Sequence, residues 1–137
     1  MRILPAALVL ALAACGGTAR SPADVVRAWS DAINANDNAR AAALFAGDAK
    51  VIQNGELVLH SRADARRWNA ALPCAGHVDS LQVSGARVMA TFTLGGRARH
   101  TCDGPGRQAA AVFEIRGGKI VLWHQIAVPE EPGTNVI

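Results

Sequence analysis

The chain has 137 residues and a formal net charge of +3, from 14 Lys and Arg against 11 Asp and Glu; half of it is apolar, 4% is aromatic, and it has no tyrosine. That length and apolar content fit one domain with a single core. The charge is too modest to argue for a nucleic-acid partner, and no internal repeat is visible.

The N-terminus reads as a leader. Arg2 supplies a cation, and Ile3–Ala14 is an unbroken apolar run. A helix of about twelve residues spans about 18 Å, short of a hydrocarbon core of about 30 Å. The length suits the hydrophobic region of a secretory signal peptide, not a membrane span. Leu12-Ala13-Ala14-Cys15, followed by Gly16-Gly17, resembles a bacterial lipobox. Cys15 would then be lipidated, and more than one acyl chain, palmitate among them, would hold an exported protein at the cell membrane. The plainer alternatives are an ordinary signal cut nearby or a short buried helix. On the lipobox reading, Met1–Ala14 is signal peptide, Cys15–Ser21 a flexible tether, Pro22–Val128 the folded domain and Pro129–Ile137 a loose tail.

Setting Cys15 aside leaves Cys74 and Cys102 in an oxidising compartment. Closing a loop of about thirty residues would contribute about 3–4 kcal/mol, so a disulfide is expected in preference to two free thiols.

Ser21-Pro22-Ala23-Asp24 combines a capping Ser, Pro in the first turn and an acid, and opens a helix with Val25, Val26, Trp29 and Ile33 on one stripe. Asp37-Asn38 caps a second, Ala-rich helix expected to end at Leu44-Phe45, with Gly47 as its stop. Lys50–Gln53 and Leu57–His60 read as strands around the hairpin signal Asn54-Gly55. Ser61 and Asp64 repeat the cap pattern for a third helix, which Pro73 ends. Val78–Val83 and Val88–Leu94 are strands. Arg97, Arg99, His100 and Arg107 crowd the loop Gly95–Gly106, read as solvated in preference to an anion or lipid-headgroup site.

Ala109–Ile126 forms the closing hairpin around Gly117-Gly118, and both of its faces are largely apolar. One face should pack on helices; the other should meet more sheet, a second subunit or a ligand. Strict alternation puts Ile120, Leu122, His124 and Ile126 on one face, with Val121, Trp123 and Gln125 on the other. The order α-α-β-β-α-β-β-β-β predicts an α+β layered fold with a mostly antiparallel sheet.

Asn36-Asp37, the segment Leu44–Val51, Trp68 and the closing GGKIVLWHQI together resemble the nuclear transport factor 2-like superfamily across about Ser21–Ala127. The resemblance implies a cone-shaped α+β roll: three helices packed on a curved, mostly antiparallel sheet around an interior pocket. The superfamily holds ketosteroid isomerases, limonene epoxide hydrolases, SnoaL-like polyketide cyclases and members without catalysis, so fold alone assigns no activity. On the isomerase pattern, Trp29 falls at the Tyr that polarises a carbonyl, Gln53 at the base and Ala110 at the second Asp. A Gln amide takes no proton near neutral pH, and Ala has no donor. On the epoxide hydrolase pattern, Gln125 falls where the catalytic Asp would be. The matching Arg–Asp pair is missing from Ala90–Leu94, and Arg99 and Asp103 are at the wrong spacing.

The pocket candidates are therefore Trp29, Gln53, Trp68, Trp123 and Gln125. The amides could orient a ligand or simply satisfy each other, and the tryptophans could line a pocket or pack the core. His124 should face outward, on the sheet face that could form a homodimer. His60, His77, His100 and His124 lack ligand spacing, so no metal or other cofactor is expected. Glu114 and Asp79 are the acids inside predicted strands, and either would support a rearranged hydrolase or isomerase site if it faced inward. The favoured expectation is non-catalytic binding, of a small apolar molecule in the cone or of a protein partner.

Overall fold

The computed structural model describes residues 20–130. The expected signal peptide, the expected lipidation site at Cys15 and the end of the tail lie outside them. Among the described residues, no helix is long and apolar enough to cross a membrane.

The capping signals act as local chemistry dictates. α1 (Pro22–Asn34) begins where the Ser21 hydroxyl accepts a bond from the Asp24 amide at 3.2 Å. Asp37 does the same for α2 (Asn38–Ala43), accepting from the Arg40 amide at 3.0 Å. Ser61 caps α3 (Arg62–Ala71), accepting from the Asp64 amide at 3.1 Å. The buried stripe of α1 is Val25, Val26, Trp29, Ala32 and Ile33, the spacing of one helix face.

Two boundaries move. α2 stops at Ala43 and β1 (Phe45–Ile52) starts at once, so Gly47 lies inside a strand instead of ending a helix. The cause is long-range: the Leu44 carbonyl accepts the Ile120 amide at 2.8 Å, which draws the chain beside β6 (Lys119–Ile126). Asp48, at φ 58°, lies where the β1–β6 register shifts between Phe45 and Lys50. β3 (Ala75–Ser84) also starts earlier than the expected Val78, because Ala75 pairs with Gly95 at the end of β4 (Arg87–Gly95).

With β2 (Glu56–Leu59) and β5 (Gln108–Arg116), the strands form one six-stranded sheet in the order β2-β1-β6-β5-β4-β3. Every pairing is antiparallel except β1 with β6, which sets the first strand beside the last. α1 packs across β3, β4 and β5, while α3 packs on α2 and β1, giving the α+β cone.

In the closing hairpin, Gly117 (φ 57°) and Gly118 (φ 74°) sit between paired Arg116 and Lys119, the two positive values that a tight turn of this hand requires. Strict alternation fails beyond it. The register shifts between Glu114 and Ile115, so Ile120 and Trp123 are both buried despite their expected opposite faces. Trp29 is the centre of the core, with ring centroids 5.3 Å from Phe113 and 6.2 Å from Trp123.

Candidate functional site

Between α1 and the sheet lies a cavity of about 310 Å³. Its floor is apolar: Trp29 and Ile33 come from α1, Phe92 from β4 and Trp123 from β6, all buried. β5 contributes Ala109, Ala110 and Ala111. Ala109 pairs with Phe92 and Ala111 with Gln125, so these two share a sheet face with cavity residues. Ala110 pairs with Thr91 and Ile126. Three small side chains in a row leave the space unfilled and carry no acid on either face of the strand.

The rim is polar. Gln53 and Asn54 lie in the turn between β1 and β2, Gln125 near the end of β6, and all three are exposed. Among the described residues no hydrogen bond joins the two glutamines. The structure thus brings Trp29, Gln53, Trp123 and Gln125 to one cavity. Trp68 is elsewhere: it packs edge-on to Phe45 and Trp123, with centroids 5.8 and 4.9 Å away, and is no part of the lining. The Trp29 indole N–H donates to Asn69 Oδ1 at 2.8 Å, a bond buried on the helix side. The Trp123 N–H is buried without an acceptor among the described residues.

Neither strand acid reaches the cavity. Glu114 accepts from Arg116 at 2.5 Å, and Asp79 is exposed and accepts the Thr93 hydroxyl at 2.7 Å. The acid that does line it is Asp103, from the loop between β4 and β5. Motif spacing along the strands gave no hint of it. The signal was the cysteine pair: Cys74 and Cys102 form the expected disulfide, with Cα atoms 4.8 Å apart, and this holds Asp103 against the wall that Cys74 helps to build.

The same loop corrects a second expectation, for Arg97 is buried at 4% exposure instead of solvated. Its guanidinium donates to the Asn69 carbonyl at 2.7 Å, the Leu72 carbonyl at 2.6 Å and the Asn38 side chain. These carbonyls close the C-terminal end of α3, where a cation is favoured. Burial pushes the Arg97 pKa down from its usual value, and among the described residues no carboxylate bonds to it. His100 adds a contact from Nε2 to the Ala70 carbonyl at 2.7 Å, while Arg99 and Arg107 are exposed. The loop is thus fastened to α3 at several points.

The SnoaL-like domain family matches residues 26–123 of this chain. An NTF2-like protein of unknown function from Cytophaga hutchinsonii superposes with a TM-score of 0.65 at 14% identity, covering 80% of this chain and 92% of that one. A candidate polyketide cyclase from Sinorhizobium meliloti gives 0.63 at 22% identity, covering 75% and 94%. A protein of ketosteroid isomerase-like fold from Catenulispora acidiphila, in complex with trimethylamine, gives 0.61 at 19% identity, covering 76% and 85%. At these identities the likeness is one of fold. No curated protein matches the chain.

Proposed function

The chain belongs to the SnoaL-like domain family of NTF2-like proteins, and from that premise we propose that it is a lipid-anchored, exported binding protein. It holds a small, mainly apolar molecule in the cone and does not transform it. One observation carries this reading: an apolar cavity of about 310 Å³ lies under the neutral amides of Gln53 and Gln125. The resemblance to isomerases and epoxide hydrolases implies acids at Gln53, Ala110 and Gln125, and this chain has none there. The volume is at the lower end of small-molecule sites, which run from about 300 to 1,000 Å³. The Catenulispora acidiphila protein, in complex with trimethylamine, is a precedent for small-molecule binding on this fold. The lipobox-like Leu12–Cys15 supports anchoring, and the Cys74–Cys102 disulfide suits an oxidising compartment.

The test is native mass spectrometry and calorimetry with a panel of small apolar molecules, on wild type and Ala111→Phe. The bulkier ring should occupy the cavity and weaken binding at least about tenfold while the fold is kept. Equal binding by the variant, or no binding by either protein, would defeat the proposal. Asp103 on the wall favours one second reading, a hydrolase or isomerase with a rearranged site. Conversion of a bound molecule by wild type but not by Asp103→Asn would establish it.

A further inference from the structure

The charges around the cavity are unlike those of the whole protein. Lys and Arg outnumber Asp and Glu, 14 to 11, yet among the described residues no Lys, Arg or His lines the cavity. Asp103 is the one charged group in the lining among the described residues. Among the described residues, its carboxylate lies within ion-pair distance of no basic side chain. An anionic ligand would meet that carboxylate with no cation to offset it. A neutral ligand would leave the carboxylate unused, while a cation would answer it.

The loop that carries the carboxylate is also held in place. Cys102, next to it, is bonded to Cys74. The loop is closed onto β4 by the Gly106 amide to the Leu94 carbonyl at 2.7 Å and the Leu94 amide to the Arg107 carbonyl at 2.8 Å. Arg97 and His100 fasten it to α3. A loop positioned in advance has little backbone freedom to lose on binding, and a concave apolar wall strengthens the field of the charge it carries. The floor suits the same ligand. Trp29, Phe92 and Trp123 meet at steep angles, 72° between Trp29 and Phe92 and 56° between Trp29 and Trp123, so they form a corner and not a stack. Their apolar faces offer packing area for the body of such a ligand, in the same cavity as the carboxylate.

We propose that the ligand of this cavity is a small organic amine in its ammonium form, with its charged head at Asp103 and its compact apolar body on the aromatic floor. The inference rests on the cavity's being a binding site. The Gln53 and Gln125 amides at the rim can accept further N–H bonds, and the volume limits the body to about the size of one ring system.

Three near-isosteric probes separate the claims: benzylammonium, benzyl alcohol and benzoate, titrated calorimetrically at pH 7 into the full chain. Benzylammonium should bind about tenfold tighter than the alcohol, the weight of one charge-assisted hydrogen bond, and benzoate weakest. Asp103→Asn should weaken benzylammonium about tenfold, to the level of the alcohol. Asp79→Asn, an acid away from the cavity, should leave the wild-type order intact. Alcohol binding as tightly as benzylammonium, or an ammonium preference that survives Asp103→Asn, overturns the amine inference and leaves the binding reading standing. If none of the three binds, both fall. A near-wild-type unfolding midpoint for Asp103→Asn, expected because the side chain is exposed and unpaired, confirms that a changed preference reports on the site.

Discussion

Replacing Arg97 distinguishes a solvated loop from a fastened one. The guanidinium makes bonds to two backbone carbonyls and to the Asn38 amide oxygen, and is 4% exposed. A hydrogen bond from a charged donor contributes a net of about 1.5–3 kcal/mol. The three share one desolvated guanidinium with no carboxylate bonded to it among the described residues, so they do not add and the upper end of a single bond is the expected scale. The net is about 3 kcal/mol, which for a domain of this size lowers the melting temperature by about 12 °C. Arg97→Ala should show that loss in urea unfolding with the disulfide intact. Arg97→Lys should fall in between, since an ammonium cannot reproduce the planar fork. Exposed Arg99 and Arg107 are the internal controls, and their Ala variants should stay within about 0.5 kcal/mol of wild type. If Arg97→Ala matched those controls, Arg97 would be solvated in solution and the fastening of this loop to α3 through its guanidinium would be refuted.

Other consequences follow from the same contacts. Reduction of Cys74–Cys102, or a Cys74→Ala/Cys102→Ala double variant, should cost about 3–4 kcal/mol for a loop closed across 28 residues; a urea midpoint unmoved by reductant would contradict this. Asn69→Leu removes the buried acceptor of the Trp29 indole and should cost about 1–3 kcal/mol by calorimetry, whereas a neutral result would mean that Trp29 needs no partner. Cys15→Ser should shift the protein from the membrane to the soluble fraction of a cell lysate, and unchanged membrane retention would refute lipidation at that residue.

What the sequence revealed was mostly local. Ser21, Asp37 and Ser61 were legible as caps because a cap is a contact between residues three apart. Gly117-Gly118 was legible because two positive φ values in succession demand such residues. The parallel pairing of β1 with β6 left no local mark, so Phe45 read as the end of a helix when the Ile120 amide draws it into the sheet. The shift at Glu114/Ile115 was hidden for a similar reason: a bulge changes which residues share a face without changing their composition. Arg97 read as a surface cation because its partners are backbone carbonyls, which every residue has and no motif records. Of the site, Trp29, Gln53, Trp123 and Gln125 came from the superfamily resemblance, which fixes positions on α1, the β1–β2 turn and β6. Asp103 escaped that pattern because a covalent bond, not a strand register, brings it to the wall.

That covalent bond links stability to recognition. Cys74 is part of the wall, and Cys102 is next to Asp103, so one disulfide both shortens the unfolded chain's freedom and fixes the loop that carries the charge proposed to select a ligand. The aromatic floor is independent of it, since Trp29, Phe92 and Trp123 are held by α1 and the sheet. Apolar capacity and charge selectivity are therefore built by different parts of the fold. Breaking the disulfide removes the fixed position of Asp103 together with several kcal/mol of stability, whereas Asp103→Asn removes the charge alone. A protein that loses its ammonium preference by either route, but its stability by only one, has its selectivity in the loop and its scaffold elsewhere.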